Sequence, residues 1–158
     1  MDKRTRRRLL LGKGTRYLFK NGIGTVGIEI LRIQGGLKIT AGSILITPKG
    51  GDYDTAGESY FVLSQDKIKG FEKICFSARA TATGVSGQYY GDLKLGKAAG
   101  TSSYSSQRVY GYTVSDGRYG YRTVEFTLPE LSSGSELYCS MAVYDTSMNL
   151  EISDIWLE

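Results

Sequence analysis

Apolar and polar residues alternate in short runs along most of the chain, and pieces rich in glycine or serine separate these runs. In residues 122–128 the apolar side chains are Val124, Phe126 and Leu128, with polar side chains between them. A period of two is typical of strands that bury one face. No run has the period of a convincing amphipathic helix. About nine or ten such strands predict an all-β fold, an antiparallel jelly-roll-like β-sandwich.

Two runs change phase. The run Gly27–Ile33 predicts a strand whose alternation shifts near its end, as at a bulge. In the last run the phase slips at Ser153–Asp154, which places Trp156 on the face opposite Ile155 and Leu157. A lone tryptophan packs into the core by default, and a contact with a partner or ligand is the alternative.

Basic residues concentrate at the start of the chain. Residues 1–20 contain eight Lys or Arg and one acidic residue, whereas the rest is mildly acidic although the net charge is +4. The chain is therefore divided into a basic N-terminal arm, residues 1–16, and a β-sandwich domain, residues 17–158. Because this domain has no evident basic face, nucleic-acid binding is not expected.

The apolar part of the arm is short. Leu9–Leu11 falls well below the ~7–15 apolar residues of a signal peptide, and Lys13 and Arg16 follow at once. No run in the chain approaches the about 18–20 apolar residues of a membrane span. The sequence therefore predicts neither Sec export nor a membrane anchor.

Several kinds of chemistry are excluded. The chain contains no histidine, which rules out Ser-His-Asp and Cys-His catalysis and His-containing metal sites. Cys75 and Cys139 lie on the polar and apolar sides of their runs, so two free thiols are expected. Asp52, Asp54 and Glu58 share a glycine-rich loop, where a Ca²⁺ site is an alternative to a solvated surface. We predict no enzymatic activity, no cofactor and no metal centre, with the calcium question left open.

Tyrosine is concentrated in one region. Seven of the 12 tyrosines lie between residues 89 and 121, many beside glycine or serine. Aromatic rings next to small residues can form platforms that stack on sugars, with the phenol hydroxyls in water. Tyrosine also favours strands, so an ordinary sheet surface is the alternative. The candidate glycan-binding residues are Tyr89, Tyr90, Tyr119 and Tyr121.

The chain opens with the segments "RRRLLLGKG" (Arg6–Gly14) and "RYLFKNG" (Arg16–Gly22). These segments resemble the Arg-rich leader and first strand of small structural proteins of phages and prophages of Gram-positive bacteria, although Phe19 and Lys20 depart from the motif of that family. The resemblance implies a component of the tail, baseplate or capsid, assembled in the host cytoplasm and located in the virion.

The resemblance also implies a docking role for the arm. The leucines would enter an apolar groove of a virion scaffold, and the arginines would meet its carboxylates. The predicted docking residues are Arg6, Arg7, Arg8, Leu9, Leu10 and Leu11. We therefore predict a non-enzymatic virion structural or appendage protein, with other virion proteins as partners. It would form a homo-oligomer or occupy a symmetric scaffold in several copies, with a host cell-surface glycan as a further candidate partner. The alternative is a carbohydrate-binding module or lectin-like adhesin.

Overall fold

The computed structural model describes residues 14–25, 27–40, 42–48, 56–82, 88–112, 120–144 and 148–158. Most of these residues are in strands and very few are helical, which confirms the predicted all-β fold. No helix among them is long and apolar enough to cross a membrane. The elements in chain order are β1 (Arg16–Lys20), β2 (Ile23–Gly24), β3 (Leu31–Gln34), β4 (Gly36–Ile39), β5 (Ile44–Thr47), β6 (Gly57–Ser64), α1 (Gln65–Ile68), β7 (Lys73–Ala82), β8 (Gln88–Gly96), β9 (Ser105–Tyr112), β10 (Arg122–Thr127), β11 (Glu136–Val143) and β12 (Met148–Leu157).

The strands form two antiparallel sheets in the predicted β-sandwich. The larger sheet has the order β10-β7-β12-β1-β2, and β5 pairs with both β12 and β4. The smaller sheet has the order β3-β6-β11-β8-β9. Strand β12 is central because it pairs with β7 along its length, with β5 over Leu150–Ile152, and with β1 towards its end. The beginning and the end of the domain therefore lie side by side.

One hydrophobic core lies between the sheets. Four phenylalanines, Phe19, Phe61, Phe76 and Phe126, are almost fully buried and connect the two sheets through successive ring contacts. Each large apolar side chain buried there contributes roughly 1.5–3 kcal/mol. The predicted alternation in β10 is confirmed, with Phe126 buried and Glu125 exposed. The fully buried residues of β11 include Leu137, Cys139, Met141 and Val143.

The predicted phase slip in the last strand is a β-bulge. The pairing of β12 with β7 shifts register between Ile152 and Asp154. An extra residue in one strand changes which face the following side chains occupy. Ile155 and Leu157 consequently point into the core, and Trp156 lies on the outer face, partly exposed. The expectation that Trp156 packs in the core is therefore wrong.

The strand predicted from Gly27 begins later, at Leu31. The amide of Ile28 donates a hydrogen bond to the carbonyl oxygen of Thr25, and Gly27 has a φ of 83°. A left-handed residue within a turn interrupts the extended backbone. Only Leu31–Gln34 remains extended enough to pair with β6.

Candidate ligand-binding face

An aromatic pair, Tyr17 and Trp156, lies on the outer face of the larger sheet. The two residues stand opposite each other on β1 and β12, with ring centroids 6.0 Å apart and ring planes at 41°. Their neighbours Leu18 and Leu157 are buried, so strand alternation turns both rings outward. Tyr17 is 39% exposed, and the ammonium of Lys20 lies 4.9 Å from the centre of its ring.

Charged groups adjoin the aromatic pair. Trp156 Nε1 donates a hydrogen bond of 2.9 Å to Glu158 Oε2. On the adjacent strands Lys73 Nζ and Glu125 Oε2 form an ion pair at 2.8 Å. Cys75 lies between these groups, because its backbone pairs in register with Trp156 on one side and Glu125 on the other. Its side chain has no exposed surface. The face therefore offers both an aromatic surface and hydrogen-bonding groups at its edge.

Burial and negative charge keep the Cys75 thiol protonated. Burial is the main cause that raises the pKa of Cys75 from 9.0 to about 12, followed by the charges of Glu158 and Glu125. The ligand atoms of these three residues lie within 4.8 Å of one another. Each carboxylate already has a nitrogen donor, from Trp156 or Lys73. The arrangement is therefore explained as a hydrogen-bonded network.

A second group on the same face consists of Arg79, Tyr121 and Glu151, which we call the charged cluster. The Arg79 guanidinium lies 4.4 Å from the centre of the Tyr121 ring and forms an ion pair with Glu151. The Tyr121 hydroxyl donates to Glu151 Oε2 at 3.4 Å. Partial burial, with the nearby Glu151 charge, raises the pKa of Tyr121 although Arg79 opposes it. Arg79 is four residues from Cys75 along β7, about 13 Å at ~3.3 Å per residue.

The candidate tyrosines are distributed over both sheets. Tyr89 and Tyr90 belong to β8 of the smaller sheet, where their backbones pair with Gly111 and Tyr110. Tyr121 directly precedes β10 of the larger sheet. Tyr119 lies outside the described residues. Glycan binding by this set of four stays a prediction.

The candidate calcium ligands do not share one loop. Glu58 lies within β6, and its carboxylate is 3.2 Å from Lys94 Nζ in a mostly buried ion pair. Asp52 and Asp54 lie outside the described residues. The inclusion of Glu58 in a glycine-rich loop is therefore wrong, because pairing of β6 with β11 extends that strand to Gly57.

The predicted docking arm lies mostly outside the described residues, including Arg6, Arg7, Arg8, Leu9, Leu10 and Leu11. Its last residue, Arg16, belongs to β1 and holds its guanidinium 5.2 Å from the centre of the Phe71 ring. Docking through the arm stays a prediction.

Both cysteines are free, as expected. Cys75 lies in the outer layer of the larger sheet, whereas Cys139 lies between the sheets, where burial raises its pKa. The prediction that they occupy different kinds of face is confirmed.

Comparison with known proteins identifies the fold. No protein-family model matches the sequence, and no curated protein matches it. Among solved structures, a mutant of the family 29 carbohydrate-binding module CBM29-2 is similar, with a TM-score of 0.50, 11% identity and 91% of each chain covered. A CBM29-2 mutant complexed with cellulohexaose has a TM-score of 0.49 and 12% identity, covering 91% of this chain and 89% of its own. CBM29_1 from Piromyces equi has a TM-score of 0.49 and 8% identity, with the same coverages. At these identities the likeness shows the fold alone.

The sequence predicts neither the pairing of the two rings nor a role for Tyr17; for Trp156 alone it offers a ligand contact, as the alternative to packing in the core. A local signal was present, because Tyr17 precedes an apolar residue in "RYLFK" and Trp156 alternates with Ile155 and Leu157. The missing information was the pairing of β1 with β12, which joins the two ends of the domain.

Proposed function

We propose that the protein is a non-catalytic carbohydrate-binding module whose ligand lies on the outer face of the larger sheet. The observation that carries this proposal is the aromatic pair, Tyr17 and Trp156, half-exposed and bordered by hydrogen-bonding side chains. The fold, which is shared with a carbohydrate-binding module, supports it as a scaffold.

The chemistry of the face suits a sugar. A pyranose ring presents C–H groups on its faces, and an aromatic ring covers them well because its own face carries partial negative charge. The sugar hydroxyls both donate and accept hydrogen bonds. Glu158 supplies an acceptor and Lys73 a donor at the edge of the aromatic pair.

The extent of the face favours an oligosaccharide over a single sugar. The charged cluster lies about 13 Å along the strand direction from the aromatic pair, at ~3.3 Å per residue. Ser77 and Asp154, paired across β7 and β12, lie between them. A chain of several sugars lying along the strands would contact the rings at one end and Arg79, Tyr121 and Glu151 at the other.

The test uses tryptophan fluorescence, because Trp156 is the one tryptophan of the chain. Cellohexaose and mannohexaose are titrated into the protein, and we expect at least one to shift the emission of Trp156 saturably. Replacing Tyr17 by Ala should weaken binding about tenfold or more, since burial of an aromatic side chain is worth ~1.5–3 kcal/mol. Because the Trp156→Ala variant lacks the fluorophore, its affinity for the oligosaccharide is measured by calorimetry.

A matched control is available on the other sheet. Tyr110 in β9 is as exposed as Tyr17, at 39% each. Tyr110→Ala should leave binding unchanged if the ligand occupies the proposed face. Equal losses in the Tyr17→Ala and Tyr110→Ala variants, or no response to a panel of neutral oligosaccharides, would overturn the proposal.

The virion role is a separate proposal and is compatible with glycan binding. It derives from the resemblance of Arg6–Gly22 to phage structural proteins, and all six of its docking residues lie outside the described part of the chain. A location in the virion and an oligomeric assembly likewise stay predictions.

A further inference from the structure

A groove of about 610 Å³ lies at one end of the smaller sheet, away from the aromatic pair. Its walls are two loops, residues 97–104 between β8 and β9 and residues 128–135 between β10 and β11. The ring of Tyr138 also lines the groove. Tyr138 stands on the outer face of β11 opposite Gly96, and Thr101 occupies the space where a side chain at Gly96 would lie. A volume of this size fits a small ring-shaped ligand.

Hydrogen bonds hold the first wall in place. The amide of Gly100 donates to Ser140 Oγ at 2.8 Å, which fixes the tip of the loop to β11. The amide of Tyr104 donates to the carbonyl oxygen of Leu95 at 3.0 Å. A pre-formed wall lowers the ordering cost of binding a ligand.

The second wall is held in the same way. The amide of Ser135 donates to the carbonyl oxygen of Ser132 at 3.0 Å, and the hydroxyls of these two serines lie 2.7 Å apart. Gln65 Nε2 donates to the carbonyl oxygen of Leu131 at 2.9 Å, which ties the loop to α1. Hydrogen bonds therefore hold both walls of the groove in place without a ligand.

The groove has an excess of negative charge. Glu130 and Glu136 line it, and neither carboxylate has a hydrogen-bond or ion-pair partner among the residues that the structure describes. Among the described residues of the lining the one cation is Lys97, whose ammonium instead lies 5.8 Å from the centre of the Tyr104 ring. Covering these carboxylates with a neutral ligand would cost desolvation without providing an opposite charge.

We propose that this groove is a second ligand site, which binds a sugar residue carrying a primary ammonium group, such as glucosamine. The ammonium would be shared by Glu130 and Glu136, and the sugar ring would lie against Tyr138. One positive charge on the ligand balances the single negative charge left by two carboxylates and one lysine. The choice of a sugar as the carrier of that charge rests on the proposed function.

Two features favour this ligand over an anion or a neutral sugar. Hydrogen bonds between ionised groups are stronger than those between neutral groups, so the ammonium gains most from the two free carboxylates. The position of Lys97 over Tyr104 shows that an aromatic ring of this groove accepts a cation. Tyr138 offers a second aromatic ring, in contact with Tyr60 at a centroid distance of 6.0 Å.

The test compares glucosamine with glucose and N-acetylglucosamine by amide NMR of the whole chain at pH 6. We expect glucosamine alone to shift the signals of Ser132–Glu136 and Tyr138 saturably, and the response to weaken with added salt. Glu136→Gln and Glu130→Gln should each weaken glucosamine binding about tenfold, the size expected for a lost charge-assisted hydrogen bond. The control Asp92→Asn removes one negative charge from β8, about 13 Å from Gly96 by strand spacing, and should change the affinity less than twofold.

Each outcome decides between the two proposals. Equal binding of glucose and glucosamine at these residues, or no shift there with glucosamine, overturns the second site. If cellohexaose still shifts Trp156 emission in that case, the proposed function stands by itself. If glucosamine binds the groove while no neutral oligosaccharide reaches the aromatic pair, the proposed function fails and the groove remains a site for an ammonium sugar. Glu136→Gln should leave the Trp156 response to cellohexaose unchanged.

Discussion

The thiol of Cys75 offers a direct probe of the layer that contains the aromatic pair. Cys75 has no exposed surface, and burial with two nearby carboxylates raises its pKa to about 12. At pH 8, a pKa of 12 leaves about one thiol in ten thousand ionised, against about one in ten for a pKa of 9. A thiolate of higher pKa is more nucleophilic, by about 16- to 32-fold for this shift. The net chemical effect is a reaction about 30- to 60-fold slower than that of an ordinary thiol.

The assay is reaction with an aromatic disulfide reagent in a Cys139→Ala variant, so that Cys75 alone reports. The same variant unfolded in urea supplies the reference rate. Folded protein should react at least about thirtyfold more slowly at pH 8, and steric cover should slow it further. Trp156→Ala should accelerate the folded protein, because it uncovers the thiol and removes the donor that holds Glu158. A folded protein that reacts as fast as the unfolded chain would refute the reasoning.

The same pKa predicts a pH dependence of stability. The folded state keeps the Cys75 proton up to about pH 12, whereas the unfolded chain releases it near pH 9. Above pH 9 the unfolded state therefore binds fewer protons, and the free energy of unfolding falls as the pH rises through this window. Urea denaturation between pH 8 and 10 measures the slope. A Cys75→Ala variant should show a shallower slope.

Two further predictions concern other parts of the chain. Lys94→Met should lower the free energy of unfolding by about 1–3 kcal/mol, because the mostly buried Glu58 carboxylate loses its partner. Urea denaturation measures this change, and an unchanged midpoint would contradict it. Changing Arg6–Arg8 to Ser should shift the melting temperature of the domain by no more than about a degree or two while abolishing incorporation into particles. Normal incorporation, or a large drop in the melting temperature, would show that the arm does not act as a docking element.

The fold was predictable because alternation reports burial residue by residue. In β10 the buried Phe126 beside the exposed Glu125 follows the printed pattern directly. The phase slip predicted at Ser153–Asp154 likewise coincides with the register shift between Ile152 and Asp154. Such signals require only neighbouring residues, so a single sequence contains them.

The candidate site was less predictable because it depends on which strands pair. Tyr17 and Trp156 meet only because β1 lies beside β12, a pairing between opposite ends of the chain. Seven tyrosines lie close together between residues 89 and 121, but closeness along the chain does not place residues on one face. Tyr89 and Tyr90 belong to the smaller sheet, while Tyr121 adjoins the larger one. Long-range register is decided by the packing of the whole core.

The antiparallel pairing of β1 with β12 has a mechanical consequence. Arg16 pairs with Leu157, and the next pair inward is Tyr17 with Trp156. Tension applied between the two ends of the domain would unzip β1 from β12. The inter-strand hydrogen bonds would break one pair after another, beginning at Arg16, instead of all shearing at once. The two rings would separate at the second pair, while the core behind them is still closed. A ligand bound across Tyr17 and Trp156, as we propose, would therefore be released early under tension, before the core opens.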